Sequence, residues 1–454
     1  MLTETIAYDT RAAGLFKNYL RRKSNSMTPE EREKTKGFRF CGSRVIHQLG
    51  AQPAVFVVRV SYDKHADTTR YFGNANCHSA WACPYCTARV MAAKSTRIAA
   101  AIDALADQNQ YAVMFTFTMP HLAFMSCAES FQILKTAWRL FVRGANKGYV
   151  TRKHKLQDGT VTQYKIRNSE YGVLREELNI RHCVRVYEFT HGKNGWHPHV
   201  HMLVWIPKNN FDKVTDYESN LNKAWMHALK VKAKQYWREQ NPNMSDDDID
   251  AKAEALFARS ANHPGFTISK NPDGTPRRTT SSQYISGWQA HEELTRTDLK
   301  KARNGHLTPH QIMDNALAAK TADERDKWLA LYTEYAIATR GSRRVEISNS
   351  GLNKIIDAWL TANPEVTYIE KKTMSNPTAA NIVCWFNANQ WWYICNCIEP
   401  EVYDIRATIL ELARLPDGKA QIEQLLLSYD LNIRDNGEHS LNSLICSIYC
   451  KAAA

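Results

Sequence analysis

The chain has 454 residues, of which 44% are hydrophobic and 23% are charged. This balance excludes a disordered or fibrous protein, and the length predicts about two to four domains. Lys and Arg number 59 against 46 Asp and Glu, so the formal net charge of +13 favours a polyanionic partner such as nucleic acid. No stretch approaches the roughly 20 apolar residues that cross a bilayer, and the N-terminus lacks the pattern of a secretory signal. We therefore expect a cytoplasmic protein with no membrane partner.

The N-terminal part of the chain predicts a helical segment followed by a cysteine-rich region. Residues 1–38 are helix-like and basic, and Thr28 followed by Pro29 is typical of a helix start. Residues 39–86 are strand-like and rich in turn formers, and the cysteine-rich region as a whole spans 39–92. A long amphipathic helix is predicted from 88 to 107.

Three strands stand out in the middle of the chain. Segments 111–119, 182–190 and 197–206 are rich in β-branched and aromatic residues and are bounded by turn formers. A helix from 128 to 146 fits between the first two strands. The sequence therefore predicts an α+β fold, with an antiparallel sheet that carries the functional site and helices on one of its faces.

The remaining segments complete the predicted domain organisation. A core domain spans 93–345, and a helical insertion interrupts it at about 212–280, where residues 212–260 read as helical throughout. Further helices are predicted at about 283–303 and 309–339. Residues 346–454 differ in composition and form a C-terminal α/β domain to which the sequence assigns no role.

The segment GWHPHVHMLVW contains a candidate metal site. Side chains alternate between the two faces of a strand, so His199 and His201 project to the same side. If Thr190 of the preceding strand pairs with His197, then Glu188 lies directly opposite His199. A carboxylate then joins two imidazoles on one face, although a register slip of one residue would turn it away.

Two other interpretations of the histidines stay open. The segment can be a histidine-rich turn that binds no metal. Two histidines and one carboxylate also form the ligand set of non-haem iron oxygenases, although no other feature of the sequence supports that chemistry.

The cysteine cluster predicts a second metal site. Cys77, Cys83 and Cys86 include a pair with the two-residue spacing of a zinc knuckle. Cys41 is the preferred fourth ligand, with His78 in reserve. A structural Zn²⁺ ion would stabilise this loop-rich region in a reducing compartment, and buried free cysteines are the alternative.

The chain resembles the HUH endonucleases, which are named for a His-hydrophobic-His motif, and within them the rolling-circle replication initiator (Rep) proteins of plasmids. FTFT (115–118), GWHPHVH (195–201) and SQYISGW (282–288) resemble the three motifs of this family in the expected order. CHSAWACPYCTARV (77–90) resembles the cysteine-rich segment that precedes the core in one branch. The resemblance covers roughly 38–354.

The resemblance assigns roles to individual residues. It makes Tyr284 the nucleophile and His199 and His201 the metal ligands, with Glu188 as the third ligand. The third motif of the family usually carries a lysine three residues after the tyrosine, and here Gly287 occupies that position. Another cation must then replace the lysine, or the activity is weaker.

The implied reaction is the nicking and joining of single-stranded DNA at a replication origin. The ligand set suits Mn²⁺ or Mg²⁺, and the products would be a 5′-phosphotyrosine and a free 3′-OH that can prime a polymerase. No nucleotide cofactor is expected, because the covalent bond retains the phosphodiester energy and the sequence has no P-loop motif. Host helicase and polymerase are the implied protein partners.

Basic and aromatic residues near the motifs are candidates for DNA contacts. Arg277 and Arg278 could bind phosphates, and Trp196 and Trp288 could stack on bases. A single-tyrosine HUH transposase or a relaxase would use the same chemistry. A non-catalytic, zinc-containing DNA-binding regulator is the alternative from another class of protein.

Overall fold

The computed structural model describes residues 2–45, 48–49, 52–53, 57–64, 67–144, 149–155, 161–167, 169–258, 264–280, 305–347, 350–364 and 381–431. The chain divides into two compact units, each assembled from separate stretches of sequence. Unit 1 comprises Met1–Val90, Met313–Thr333 and Lys371–Ala454. Unit 2 comprises Met91–Ile312 and Glu334–Glu370. The domain boundaries predicted above, which are continuous along the chain, stay a prediction.

The described residues form helices together with antiparallel sheets, so the fold is α+β, as predicted. The helices are α1 (Leu2–Lys23), α2 (Pro29–Arg39), α3 (Pro84–Ala106), α4 (Cys127–Arg143), α5 (Glu170–Glu177), α6 (Glu218–Gln240), α7 (Asp246–Ala258), α8 (Pro309–Ala318), α9 (Ala322–Thr339), α10 (Ser350–Ala362), α11 (Ala388–Tyr393), α12 (Ile405–Leu412) and α13 (Gly418–Leu427). A 3₁₀ segment spans Lys208–Tyr217, and a π-helical turn spans Ile394–Ile398.

The strands are mostly short outside unit 2. They are β1 (Arg44–Val45), β2 (Gln48–Leu49), β3 (Gln52–Pro53), β4 (Val57–Asp63), β5 (Thr68–Phe72), β6 (Asn74–Ala75), β7 (Gln110–Thr118), β8 (Tyr149–Lys155), β9 (Val161–Arg167), β10 (Cys183–Gly192), β11 (Gly195–Pro207), β12 (Phe266–Ile268), β13 (Val345–Ile347) and β14 (Ile382–Asn387). The three strands predicted in the middle of the chain are confirmed as β7, β10 and β11.

The caps of two predicted helices explain where these helices begin and end. The side chain of Thr28 accepts a hydrogen bond from the backbone N–H of Glu31 at the start of α2, and the two residues form a reciprocal capping box. The side chain of Ser126 accepts a hydrogen bond from the N–H of Glu129 at the start of α4. α4 ends earlier than predicted because Gly144 has a φ of 76°, a conformation that stops a helix and favours glycine.

Unit 2 is built on a five-stranded antiparallel sheet with the order β12-β7-β11-β10-β13. β10 and β11 form a hairpin that is paired from Cys183↔Val204 to Gly192↔Gly195. β7 pairs along the other side of β11 from His199↔Thr118 to Pro207↔Gln110. Because β11 is hydrogen-bonded on both sides, its register and the direction of each of its side chains are fixed.

One face of this sheet is covered by α4 and α6. Val200 points to this face, and its register partner Phe117 does the same. Phe117 packs against Trp138, Phe141 and Trp225, with ring centroids 5.2, 5.3 and 5.2 Å away. Such edge-on aromatic contacts add about 0.5–1.5 kcal/mol each beyond the burial of their area.

The opposite face carries His199, His201, Leu203 and Trp205 in succession along β11. Its apolar half packs against buried residues of α3 and α10, among them Ile98, Ile102, Leu105, Leu352 and Ile356. The prediction that helices lie on one face only is therefore wrong. Leu203 and Trp205 continue the alternation that places the histidines, so this half of the face is apolar and also requires cover.

Unit 1 contains a three-stranded antiparallel sheet with the order β14-β4-β5. Its inner face carries Val58 and Phe386, against which Trp391 of α11 packs at a ring-centroid distance of 5.8 Å from Phe386. The indole N–H of Trp391 donates to the carbonyl oxygen of Gly42 at 2.9 Å. The strand β14 belongs to the C-terminal region, so that region completes the sheet of the cysteine-rich region.

A buried group of charges joins α1 to the C-terminal helices within unit 1. Glu399 is fully buried, contacts the Lys17 ammonium and accepts a hydrogen bond from Nε of Arg406 at 2.6 Å. Burial, together with the nearby Arg406, lowers the pKa of Lys17 to about 8. Removing Glu399 would leave two unpaired buried cations, which typically costs about 3–5 kcal/mol.

Two predicted helical ranges are interrupted. The range 212–260 breaks at Asn241 and Pro242, between α6 and α7, because proline disfavours a helical conformation at the residue before it. The predicted helical insertion also contains a strand, since Phe266–Ile268 pairs with β7. The range 309–339 forms α8 and α9 rather than one helix.

Among the residues that the structure describes, no helix combines the length and the apolar character that a membrane crossing needs. The cytoplasmic location stays a prediction.

Candidate metal centres

The hairpin of β10 and β11 brings three potential metal ligands to one point. Glu188 lies directly opposite His199, and Thr190 opposite His197, as the sequence predicts. Oε2 of Glu188 is 2.9 Å from Nε2 of His199 and 2.9 Å from Nε2 of His201. Strand pairing alone therefore makes two imidazole nitrogens converge on one carboxylate oxygen.

The carboxylate of this group is held in its charged form. Glu188 is 3% exposed, and burial by itself would raise its pKa. The neighbouring imidazoles of His199 and His201 outweigh burial and hold the pKa of Glu188 well below its usual range. A buried, ionised carboxylate between two imidazoles is a ligand set for a divalent cation.

A threonine on the neighbouring strand fixes one of the imidazoles. Oγ1 of Thr116 lies 3.1 Å from Nδ1 of His201, and the two residues are register partners of β7 and β11. This contact occupies Nδ1 and leaves Nε2 for the cation, as outer partners of metal-binding histidines generally do. Thr116 lies within the motif FTFT, but no local pattern predicts that its hydroxyl contacts a histidine.

The spacing of the three ligand atoms fits a small divalent cation. Ligands about 2.1 Å from an octahedral ion, the usual Mg²⁺ distance, lie about 3.0 Å from their neighbours. The two distances from Oε2 of Glu188, 2.9 Å each, agree with this geometry. The group can therefore hold one ion.

Two further histidines that the sequence did not indicate lie beside this group. The ring of His121 stacks on that of His197 at 4.6 Å, and the ring of His306 lies 6.1 Å from His197. Burial, then the proximity of His199 and the other two imidazoles, lowers the pKa of His197 to about 2. No spacing signal could have found His121 and His306, because they come from separate segments.

Four cysteines of unit 1 form a second compact group. Sγ of Cys41 lies 3.5 Å from Sγ of Cys83 and 3.5 Å from Sγ of Cys86, and Cys77 lies 3.7 Å from Cys86. A tetrahedral Zn²⁺ ion with Zn–S bonds of about 2.3 Å separates its sulfurs by about 3.8 Å. The four sulfurs therefore fit one zinc ion, and His78, the reserve ligand, is exposed and lies outside the group.

The four thiols cannot all ionise without a cation. Hydrogen bonds from the thiols of Cys77, Cys83 and Cys86 lower the pKa of Cys41. The same contacts with Cys41 raise the pKa values of Cys77 and Cys83. A divalent cation would offset the repulsion between the sulfurs and favour the thiolate form of the group.

The residues predicted to contact DNA differ in how exposed their side chains are. Trp196 is 2% exposed and stacks on Tyr335 at 5.8 Å, so the prediction that it stacks on bases is wrong. Its position on β11 turns its ring away from the histidines and into the core. Arg277 and Arg278 are exposed. Tyr284 and Trp288 lie outside the described residues.

Two curated proteins are similar to this chain. The Protein rep of Streptomyces lividans is 24% identical over 314 residues, which cover 62% of this chain and 64% of that protein. The Neomycin resistance protein of Streptomyces cyanogenus is 24% identical over 242 residues, which cover 51% of this chain and 52% of that protein. The matched part therefore spans less than two thirds of either relative.

The first of these similarities confirms the resemblance to Rep proteins that the motifs indicate. No family model matches the chain. No solved structure matches it either.

Proposed function

We propose that this protein initiates rolling-circle plasmid replication by nicking and rejoining single-stranded DNA at an origin, with unit 2 as an HUH nuclease core. The observation that carries the proposal is the convergence of Nε2 of His199 and Nε2 of His201 on one carboxylate oxygen of Glu188. The similarity to a Rep protein supports the choice of DNA at an origin as the substrate.

The three ligands would bind Mn²⁺ or Mg²⁺. When bound, the ion would supply positive charge to the non-bridging oxygens of the scissile phosphate. Glu188 contributes the negative charge that retains the ion, and the two histidines contribute neutral nitrogens. Thr116, whose hydroxyl lies 3.1 Å from Nδ1 of His201, would leave Nε2 of that ring for the ion.

Tyr284 would be the nucleophile. Its phenolic oxygen forms a bond to phosphorus while the bond between phosphorus and the 3′ oxygen breaks. The phenolic proton is lost, and the leaving oxygen takes up a proton to become a free 3′-OH. One phosphate ester replaces another, so a 3′-OH can later attack the phosphotyrosine and rejoin the strand without nucleotide hydrolysis.

The cysteine group would hold a structural Zn²⁺ ion in a zinc ribbon within unit 1. The free 3′-OH would serve a host polymerase, and a host helicase would open the duplex ahead of it. Arg277 and Arg278 are exposed and could bind phosphates of the substrate.

A covalent adduct is the direct test of this proposal. The protein is incubated with random-sequence single-stranded oligonucleotides that carry a fluorophore at the 3′ end, with and without added Mn²⁺, and is run on a denaturing gel. We expect a labelled protein band that requires Mn²⁺ and is lost in Tyr284→Phe. The half-buried Tyr236 provides a matched control, because Tyr236→Phe should retain the band.

Two results would contradict the proposal. A band of full intensity in Tyr284→Phe would assign the nucleophile to another residue. Binding of the oligonucleotides without any adduct, with Mn²⁺ and with Mg²⁺, would favour a non-catalytic DNA-binding regulator.

A further inference from the structure

The outer face of the sheet in unit 1 carries a row of aromatic and basic side chains. Trp385 of β14 is the register partner of Arg59 of β4, and Arg59 is the register partner of Phe72 of β5. Register partners project from the same face of a sheet, so an indole, a guanidinium and a phenyl ring lie side by side across three strands. Neighbouring strands are about 4.8 Å apart, which separates the two aromatic residues by about 10 Å.

The aromatic residues of this row lie on the side of the sheet opposite to the core. Val58 and Phe386 fill the inner face and are fully buried, whereas Trp385 is 45% exposed. Phe72 and Arg59 are each half-buried. Exposing a large indole on a sheet costs hydrophobic free energy unless a partner covers it, so this row is a candidate binding surface.

The charge around the row favours an anionic partner. Arg70 of β5 lies on the same face but is only 7% exposed, with its guanidinium 5.5 Å from the ring centroid of Phe72, so the accessible guanidinium of the row itself is that of Arg59. Arg89 of α3 is exposed and lies near enough to Arg70 to affect its pKa. The three strands contribute one carboxylate, Asp63, against these guanidinium groups.

We propose that this face is a binding platform for single-stranded DNA, in which Trp385 and Phe72 stack on bases and Arg59 lies between them against the phosphates. Base stacking on aromatic side chains and phosphate contacts from arginine are the two interactions by which proteins hold single strands without reading their sequence. The same combination on an exposed sheet face binds single-stranded nucleic acid in other folds.

This platform gives the C-terminal region a role, because β14 contributes Trp385. The inference rests on the proposed function for the identity of the strand, which would be origin DNA. It places a second contact with that strand in unit 1, in addition to the metal group of unit 2.

The test measures the binding of a 3′-labelled oligothymidylate of about 16 nucleotides by fluorescence anisotropy, with no divalent cation added. We expect Trp385→Ala to weaken binding about tenfold to a hundredfold, and Trp385→Phe to retain affinity within about threefold, because a ring is kept. Trp392 is the matched control: it is 48% exposed and lies on α11, so Trp392→Ala should leave the affinity unchanged.

Arg59→Ala should weaken binding. It should also reduce the magnitude of the slope of log affinity against log salt concentration by about one, which corresponds to the loss of one phosphate contact. Equal affinities for Trp385→Ala and Trp392→Ala, in folded proteins with the same melting temperature, would overturn the proposal. So would equal weakening by Trp385→Ala for the oligothymidylate and for a duplex of the same length, because bases in a duplex are not free to stack.

The adduct assay on the unaltered protein separates this proposal from the proposed function. If no adduct forms but Trp385→Ala still weakens binding relative to Trp392→Ala, the platform stands and the nicking activity fails. If the adduct forms and the two variants bind alike, the nicking activity stands and the platform fails.

Discussion

The two ligand groups of this protein are assembled in different ways. Glu188, His199 and His201 lie on two adjacent strands whose backbone pairing fixes their positions before any ion binds. The four cysteines come from the end of α2, from a segment after β6 and from the start of α3, and no single element holds them together. The sheet positions the histidine group. The cysteine group, by contrast, must itself link the segments from which it comes.

We expect this difference to separate the roles of the two candidate metal sites. A site preformed by a sheet can lose its ion and keep its fold, which leaves the ion available for chemistry. A site made of separate loops contributes its binding free energy to folding. We therefore expect loss of the cysteine site to unfold unit 1, and loss of the histidine site to abolish activity in a folded protein.

The largest effect should come from Cys83→Ser. A structural zinc contributes on the order of 10 kcal/mol, which is comparable with the whole stability of a domain. We expect the variant to lose its zinc, measured by elemental analysis, and unit 1 to unfold at a much lower denaturant concentration. Cys397 is half-buried in the same unit but lies outside the group. Cys397→Ser should therefore retain the zinc and the resistance to denaturant of the unaltered protein. Equal unfolding of the two variants would contradict the structural role.

The next effect should come from His201→Ala. Removing one of the groups that stabilise charge in a transition state typically costs about 100-fold or more in rate. We expect the adduct yield to fall by at least that factor, while the free energy of unfolding changes by only about 1–2 kcal/mol. The exposed His227 of α6 is the control, and His227→Ala should be fully active. A His201→Ala protein that is inactive because it is unfolded would remove the distinction between the two groups.

The stability of unit 2 should depend on pH through His197. Above its ordinary pKa of about 6.5 this histidine is neutral in both the folded and the unfolded chain. As the pH falls toward 2, the unfolded chain binds a proton that the folded chain, with its pKa of about 2, does not. Stability is therefore lost at up to about 1.4 kcal/mol per pH unit below 6.5.

His197→Gln should make this acid dependence shallower, measured as urea unfolding between pH 7 and pH 5. His227→Gln should leave it as steep as in the unaltered protein. Identical slopes for His197→Gln and the unaltered protein would show that His197 does not contribute.

The smallest effect should come from Thr116→Val, which removes the hydroxyl next to Nδ1 of His201. Outer partners of this kind contribute about tenfold or more to metal affinity. We expect Mn²⁺ binding, followed by electron paramagnetic resonance of the free ion, to weaken by about tenfold. Thr118 is the matched control, because its hydroxyl lies 3.3 Å from the carbonyl oxygens of Pro264 and Gly265 instead. Equal Mn²⁺ affinities for Thr116→Val and Thr118→Val would contradict the assigned contact.

The histidine group was predictable from the sequence because its geometry depends only on residues of one hairpin, which are close together in the chain. Alternation along one strand places His199 and His201 together, and a short connection to the preceding strand limits the registers that Glu188 can take. Thr190↔His197 is the register that the structure has. The choice of Cys41 rested on one distant cysteine in a loop-rich region, and the structure places it beside the other three.

The remaining features depend on contacts between distant segments. Trp196 is aromatic and close to the histidines in sequence, but its ring packs against Tyr335 in the core. Trp385 lies in a region to which the sequence assigned no role, and its exposure follows from the pairing of β14 with β4. His121 and His306 likewise meet His197 only in the folded chain. Local patterns do not reveal such pairings.

The position of the covalent bond tests the central claim most directly. The protein is incubated with single-stranded DNA and Mn²⁺, digested with a protease, and analysed by mass spectrometry for peptides that carry a nucleotide. We expect the nucleotide on the peptide that contains Tyr284, and no modified peptide when Mn²⁺ is not added. A nucleotide on another residue, or cut DNA with a free 5′ phosphate and no modified peptide, would contradict the central claim.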